Sequence, residues 1–310
     1  MTYKPELLCT AASLDEMKVL IEAGADAFVV GEARFGMRLA GEFSIEQMQE
    51  AAELAKKHRV KIYAALNNVI DNAALPLLDD YIQALQRMQI DGVVFGDPAV
   101  LMAVRRMAPD LKLHWNAEMT STNYSTANYW GKRGASRFVL ARELNMEQIV
   151  EMKDHTDLEI QVQVHGMTNI YHSKRQLVQS YLDHHNNSDR LPSKAMEQGL
   201  YLTESERPGE TYPIYEDING THIMSSDDIC MLENLHELLD AKIDSFKVEG
   251  IMKSTAYNEA VVKAYRQVID LYIASPEAYK FQEEWLEPIK ALQDEKRELS
   301  FGFFFKEQVY

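Results

Sequence analysis

"ELLCTAASLDEMKVLIEAGADAFVV", residues 6–30, reads as one complete unit of alternating structure. Two short β-rich apolar runs, at 6–12 and 26–32, flank the segment SLDEMKVLIEAGA, whose apolar positions recur at helical spacing. Ser13 stands before that segment as an N-cap, Asp15 and Glu16 give it an acidic first turn, and the Gly24 turn leads into the second run. Strands that alternate with helices in this way call for a parallel sheet.

The same alternation continues along the chain. Strand-like runs follow at 60–66 (VKIYAAL), 92–97 (GVVFGD), 111–117 (LKLHWNA), 137–143 (RFVLARE), 159–166 (EIQVQVHG) and 244–250 (DSFKVEG). Helical stretches lie between them, several opening with Ser or Asn. AGAD, MQIDG, KRGAS and DAKIDS precede strands 2, 4, 6 and 8 as αβ-turns in which Gly or Asp is expected to turn the chain. Eight such units predict an α/β fold, a (β/α)8 TIM-type barrel over residues 1–275, better than an open sheet. After strand 7 the crossover swells to residues 167–220, rich in His, Asn, Ser and Pro, a long insertion on the face where barrels build their sites. Residues 276–310 read as a helical extension and tail.

Composition limits what the chain can do. At 310 residues and 46% hydrophobic it can bury a large core, and 32 Lys+Arg against 48 Asp+Glu give a net charge of -16. That surface repels phosphate and lipid on average, so any contact with nucleic acid needs a local patch or a partner. KRGASR (132–137) and HSKRQ (172–176) are the modest basic clusters. The opening residues have no leader character and no apolar run reaches the roughly 20 residues needed to span a bilayer, so the expectation is a cytoplasmic protein without a membrane partner.

The strand ends collect polar residues on one face: Glu32, Arg34 and Arg38, Asn67 and Asn68, Asp97, Asn116 with Glu118, Arg142 with Glu143, His165, and Glu249 with Lys253. Of these, His165, Glu249, Arg142 and Glu143 are the catalytic candidates. Arg34, Arg38, Asn67, Asn116 and Lys253 are the binding candidates, since arginine forks and amides suit an anionic organic molecule. The competing reading is that Arg and Glu simply pair at the mouth. His165, His172, His184, His185 and His222 have no helical i, i+4 spacing and no Cys partner, so no metal site is expected and the loop histidines read as solvated. HELLD at His236 misses the HExxH pattern at Asp240 and reads as part of an acidic helix. Cys9 in strand 1 and Cys230 in an apolar helical stretch read as core residues, and there is no GxSxG motif.

Several stretches together resemble the U32 peptidase-like family: residues 5–44, YAALNNVI, ELNMEQI, VHG and above all IDSFKVEGIMKSTAYNEAVVKAYRQVID (243–270), with the likeness running to ELSFGFFF. That family, once named for collagenase-type peptidases, includes proteins that make 5-hydroxyuridine at the tRNA wobble position, and relatives that hydroxylate ribosomal RNA or a ubiquinone precursor. Its cluster-bearing members hold a [4Fe–4S] cluster on four cysteines, two in the loop after VHG and two in the insertion. Here the loop positions fall on Asn169 and Gln176, and amides do not replace thiolates. The resemblance therefore implies a chain that binds no cluster itself, the shorter subunit of a paired tRNA hydroxylation system of the kind found in Gram-positive bacteria. Its partner would be a longer U32 homologue that keeps the cysteines and the [4Fe–4S] cluster, with tRNA held by the complex. Prephenate, a dicarboxylate associated with the tRNA-modifying relatives, makes Arg34, Arg38 and Arg142 the expected carboxylate contacts. The older family name implies instead a peptidase, a collagenase-like hydrolase.

Overall fold

In the computed structural model the chain is described over residues 3–116, 121–185 and 199–307. Seven strands alternate with six helices from the start: β1 (Glu6–Thr10), α1 (Leu14–Ala23), β2 (Ala27–Val30), α2 (Ile45–His58), β3 (Lys61–Leu66), α3 (Leu75–Arg87) and β4 (Gly92–Phe95). Then come α4 (Pro98–Met107), β5 (Lys112–Asn116), α5 (Tyr124–Gly131), β6 (Ala135–Val139), α6 (Met146–Asp154) and β7 (Glu159–Gly166). The expected caps are present: Ser13 accepts from the Glu16 amide, and Ser44 and Asn145 form capping boxes with Gln47 and Gln148.

The barrel closes through a strand far down the chain, β13 (Ser245–Val248), which pairs in parallel with both β1 and β7. The eight strands form a closed parallel (β/α)8 barrel of the TIM type. Strand alternation divides its core in two. Phe28, Ile62, Val93, Phe138 and Phe246 face the helices, while Leu8, Ala27, Tyr63, Val94 and Val139 fill the barrel itself.

An ionic plug closes the N-terminal end. Arg137, 2% exposed, donates to Glu6 at 2.5 Å and through two nitrogens to Glu159 at 2.7 and 2.9 Å. Glu6 also accepts from the Tyr63 and Ser245 hydroxyls. Burial alone would raise the Glu6 carboxyl, but the charge and hydrogen bond of Arg137, with Lys61 behind it, more than offset that and hold it at about 2. Arg137 is thus removed from the basic cluster at 132–137.

The αβ-turns work differently from the expectation. The residue in the left-handed conformation is Gly24 before β2 and Gly134 before β6, but Gln89 before β4 and Lys242 before β13. The recurrent aspartates cap strands instead. Asp26, Asp91 and Asp244 each accept the first free amide of the preceding barrel strand, from Leu7, Ile62 and Ile160, at 2.7–2.9 Å. An aspartate there satisfies a buried donor that the parallel ladder leaves unpaired.

After β7 the chain leaves the barrel. Gly166 makes the exit possible: its φ is +98°, and a Cβ there would lie 2.1 Å from the Glu249 carbonyl oxygen. β8 (Asn169–Ser173), α7 (Leu177–His184), β9 (Leu200–Thr203), β10 (Thr211–Asp217) and β11 (Gly220–Met224) follow. Their strands form an antiparallel sheet in the order β8-β11-β10-β9, so the excursion runs on past residue 220. The chain returns as β12 (Asp228–Cys230), antiparallel to β7, then α8 (Leu235–Asp240), β13 and α9 (Thr255–Ala274). Cys230 therefore sits in a strand rather than the expected helix, because residues 228–230 find the open flank of β7. His236 and Asp240 lie in α8, where Asp240 accepts from the Tyr272 hydroxyl. The C-terminal segment adds two short 3-10 turns, α10 (Glu287–Lys290) and β14 (Leu299–Ser300), which extends the sheet beside β12. Among the described residues no helix is long and apolar enough to cross a membrane.

Candidate functional site

At the C-terminal ends of the strands lies a small cavity of about 50 Å³, room for a few waters. Thr10, Asn116, Gln163, Lys247 and Glu249 project into it from the strands, and residues 37–41 of the β2–α2 loop roof it. Asn67 holds that roof by accepting from the Met37 amide at 2.9 Å and donating back to the Met37 carbonyl. Gly41 is needed where the roof meets the β1–α1 loop, since a Cβ there would lie 2.0 Å from the Ala12 carbonyl oxygen.

Glu249 is the best-anchored group in the cavity. One carboxylate oxygen accepts from the Thr10 hydroxyl at 2.8 Å and the Ile251 amide at 3.1 Å, and the other meets the Lys247 ammonium at 2.9 Å. Arg142, half-buried on the β6–α6 loop, lines the same cavity and makes no hydrogen bond or ion pair among the described residues. Arg38 reaches the cavity from a left-handed backbone, φ +57°, a conformation costly outside glycine and common where a site fixes a side chain. Asn67, Asn116, Arg38, Arg142 and Glu249 are thus brought together.

Others are not. His165 should face the mouth by its place at the strand end, but a bulge intervenes: Gln163 pairs with Lys247 while His165 pairs with Val248, leaving Val164 as the extra residue. The ring consequently turns outward, fully buried, with Nε2 2.9 Å from the Tyr257 hydroxyl. Burial pushes its pKa down to about 3, so it is a neutral core group. Lys253 also lies off the cavity. Its ammonium meets Asp228 at 2.5 Å, beside Arg297, which pairs with the same carboxylate at 2.8 Å. Burial lowers the lysine, against the pull of Asp228. Glu143 and Arg34 are exposed; Arg34 borders a second groove described below. Asp97 caps α4 through the Ala99 amide, and Glu118 falls outside the described residues.

The insertion histidines divide in the same way. His184 and His185 are exposed as expected, but His222 is fully buried, 3.0 Å from Asp217 and stacked between His172 and Tyr215. The new sheet, invisible in a polar sequence, is what covers it. Asn169 lines the cavity and donates to the Ile223 carbonyl at 3.1 Å, while Gln176 donates to the Asp217 carbonyl at 2.7 Å. Both amides hold the inserted sheet. Cys9 and Cys230, the two cysteines of the chain, are buried, and burial pushes both thiols up, Cys230 to about 11. Two buried cysteines, one in β1 and one in β12, do not supply the four thiolates of a [4Fe–4S] cluster, so the donor set does not fit one. Sequence reasoning missed Thr10, Lys247 and Gln163, although the polar–apolar alternation of EIQVQVHG was the signal for Gln163.

A family model described as peptidase family U32 matches residues 12–309. The chain is 49% identical over 308 residues to tRNA hydroxylation protein P2 of Bacillus subtilis, covering 99% of each. It is 33% identical to tRNA hydroxylation protein P1 of the same organism, covering all of this chain and 74% of that protein. Among solved structures, a U32 peptidase superposes with a TM-score of 0.50 at 14% identity, over 80% of this chain and 94% of that one, a likeness of fold.

Proposed function

The chain belongs to peptidase family U32, and from that premise we propose that it is a subunit of a tRNA wobble-uridine 5-hydroxylation system. One observation carries this reading: the 49% identity, end to end, with a tRNA hydroxylation protein. The partner we assign is a longer, cysteine-bearing U32 homologue, of the kind represented by the longer P1 protein. In this reading the partner supplies the [4Fe–4S] cluster and its redox chemistry, and this chain completes the complex that holds tRNA in the cytoplasm.

Within that complex the barrel mouth is the proposed small-molecule site. Arg142 and Arg38 would take the carboxylates of an organic acid such as prephenate, Asn116 would orient it, and Glu249, held by Thr10 and Lys247, would fix the floor. The roof over residues 37–41 must open for such a ligand to enter. A hydrolase reading finds little support, because both thiols are buried and protonated and His165 is turned into the core.

The test is a deletion strain. Wobble 5-hydroxyuridine derivatives, measured by mass spectrometry of digested tRNA, should fall sharply and return with the wild-type chain. Co-purification should recover a cysteine-bearing homologue that carries the iron and sulfide. Normal nucleoside levels in the deletion strain, or peptide cleavage by the purified chain that a mouth substitution abolishes, would overturn the reading.

A further inference from the structure

Beside the roofed mouth runs an open groove of about 430 Å³, walled by the β2–α2 loop, the β3–α3 loop and the β10–β11 hairpin. Arg34 and Lys174 line it, and Arg175 follows Lys174 on the exposed surface. The side chains of Arg34 and Arg175 have no acidic partner among the described residues. Lys174 donates only to the Val69 carbonyl, at 3.3 Å, leaving two ammonium protons for another acceptor.

The nearby acids are already committed. Asp71 accepts from the Ala73 and Ala74 amides at 3.1 and 2.9 Å, and Asp217 holds Asn219 and His222. Its lining thus sets two cations, Arg34 and Lys174, with Arg175 beside them, against one carboxylate, Asp71, on a chain whose net charge is -16. Its walls also carry apolar surface, with Ile218 69% and Val69 48% exposed. The other basic cluster, at 132–134, precedes β6 and so lies at the opposite end of the barrel.

We propose that this groove seats a single-stranded RNA backbone, with Arg34, Lys174 and Arg175 on phosphates and Ile218 and Val69 against a splayed base or ribose. The inference rests on the tRNA reading above and gives it a surface. Unpaired cations matched with apolar shelves are what an unstacked loop needs: phosphate neutralisation along the strand and a dry face for a base. The groove also borders the mouth, because Asn219 in its wall donates to the Ala33 and Gly36 carbonyls of the roof loop.

The full-length protein can be titrated into a fluorescently labelled RNA stem–loop over a salt series. The triple variant R34A/K174A/R175A should bind at least tenfold more weakly, and its slope of log affinity against log salt should be shallower by about 2, as expected for three lost phosphate contacts on a single strand. The variant K132A/R133A at the other end should bind like wild type, and thermal melts should show both folded. Equal binding by the triple variant and wild type, or equal loss in both variants, would overturn the proposal. So would unchanged RNA affinity with lost co-purification of the longer homologue, which would make the groove a protein seat. If the triple variant restores wobble nucleosides fully to the deletion strain, the groove fails while the tRNA reading stands. If it loses RNA while the deletion strain has normal nucleosides, the groove stands and that reading falls.

Discussion

The Asn68 amide donates to the Asn219 side-chain oxygen at 2.6 Å across 151 residues of sequence, and this contact ties the inserted sheet to the barrel mouth. Asn68 also donates to the Arg34 carbonyl, and Asn219 to those of Ala33 and Gly36, so two side chains satisfy three carbonyls of the roof loop. The insertion and the roof are one mechanical unit. Replacing Asn219 with Ala should leave those groups unpaired at a cost of about 1–3 kcal/mol, felt locally. Amide exchange across residues 33–41 should quicken while β1 and α9 stay protected, as hydrogen-exchange mass spectrometry can check.

Asp228 balances two buried cations, Lys253 and Arg297, and also accepts from Gln293 at 2.6 Å. Removing the carboxylate strands both positive charges in a dry site. Asp228→Ala should therefore cost on the order of 3–5 kcal/mol, and K253M should be milder because Asp228 keeps Arg297. Urea unfolding distinguishes the two. Equal losses would show that the pairs are not coupled through Asp228.

The barrel was legible because each βαβ unit states itself locally, as at 6–30, where the N-cap Ser13, the amphipathic α1 and the Gly24 turn all agree. Asn116 and Glu249 follow from position, since strand ends in a barrel converge on one face. His165 was not legible, because a single bulged residue reverses the facing of everything after it and no residue type in QVHG announces a bulge. Lys253 was misplaced for another reason. Its partner Asp228 lies in a strand that exists only because the returning chain pairs with β7, a tertiary event with no local pattern.

Acid should destabilise the protein over two pH windows, the first set by His165 and the second by the paired carboxylates of Glu6 and Asp228. Burial holds His165 neutral, its pKa lowered from 6.5 to about 3, so between those values the unfolded chain binds the extra proton and stability falls as pH falls. Glu6, lowered from 4.5 to about 2, contributes stability that is complete above about pH 4.5 and is lost as pH drops toward 2. That contribution is about 3 kcal/mol. Urea midpoints measured from pH 7 to pH 2.5 should decline throughout. In Glu6→Gln the decline below pH 4.5 should become shallower, the rest coming from Asp228, whose carboxylate, buried though it is, Lys253 and Arg297 hold below the usual range, at the cost of lower stability at pH 7.

The mouth and its surroundings can be separated by three substitutions with different signatures. Arg142 makes no hydrogen bond or ion pair among the described residues, so Arg142→Ala should change stability by less than about 0.5 kcal/mol. If the cavity takes an organic acid, the same variant should still lower wobble hydroxylation severalfold in a complemented deletion strain. Glu249→Gln should impair modification and also destabilise by about 1–3 kcal/mol, because the largely buried ion pair with Lys247 is lost. His165→Phe should do the reverse: it removes the hydrogen bond to Tyr257 and lowers the melting temperature, yet modification at permissive temperature should persist, since the ring faces away from the cavity. A stable Arg142→Ala protein with full modification would remove the mouth from the reaction. A folded His165→Phe protein without modification would restore His165 to it.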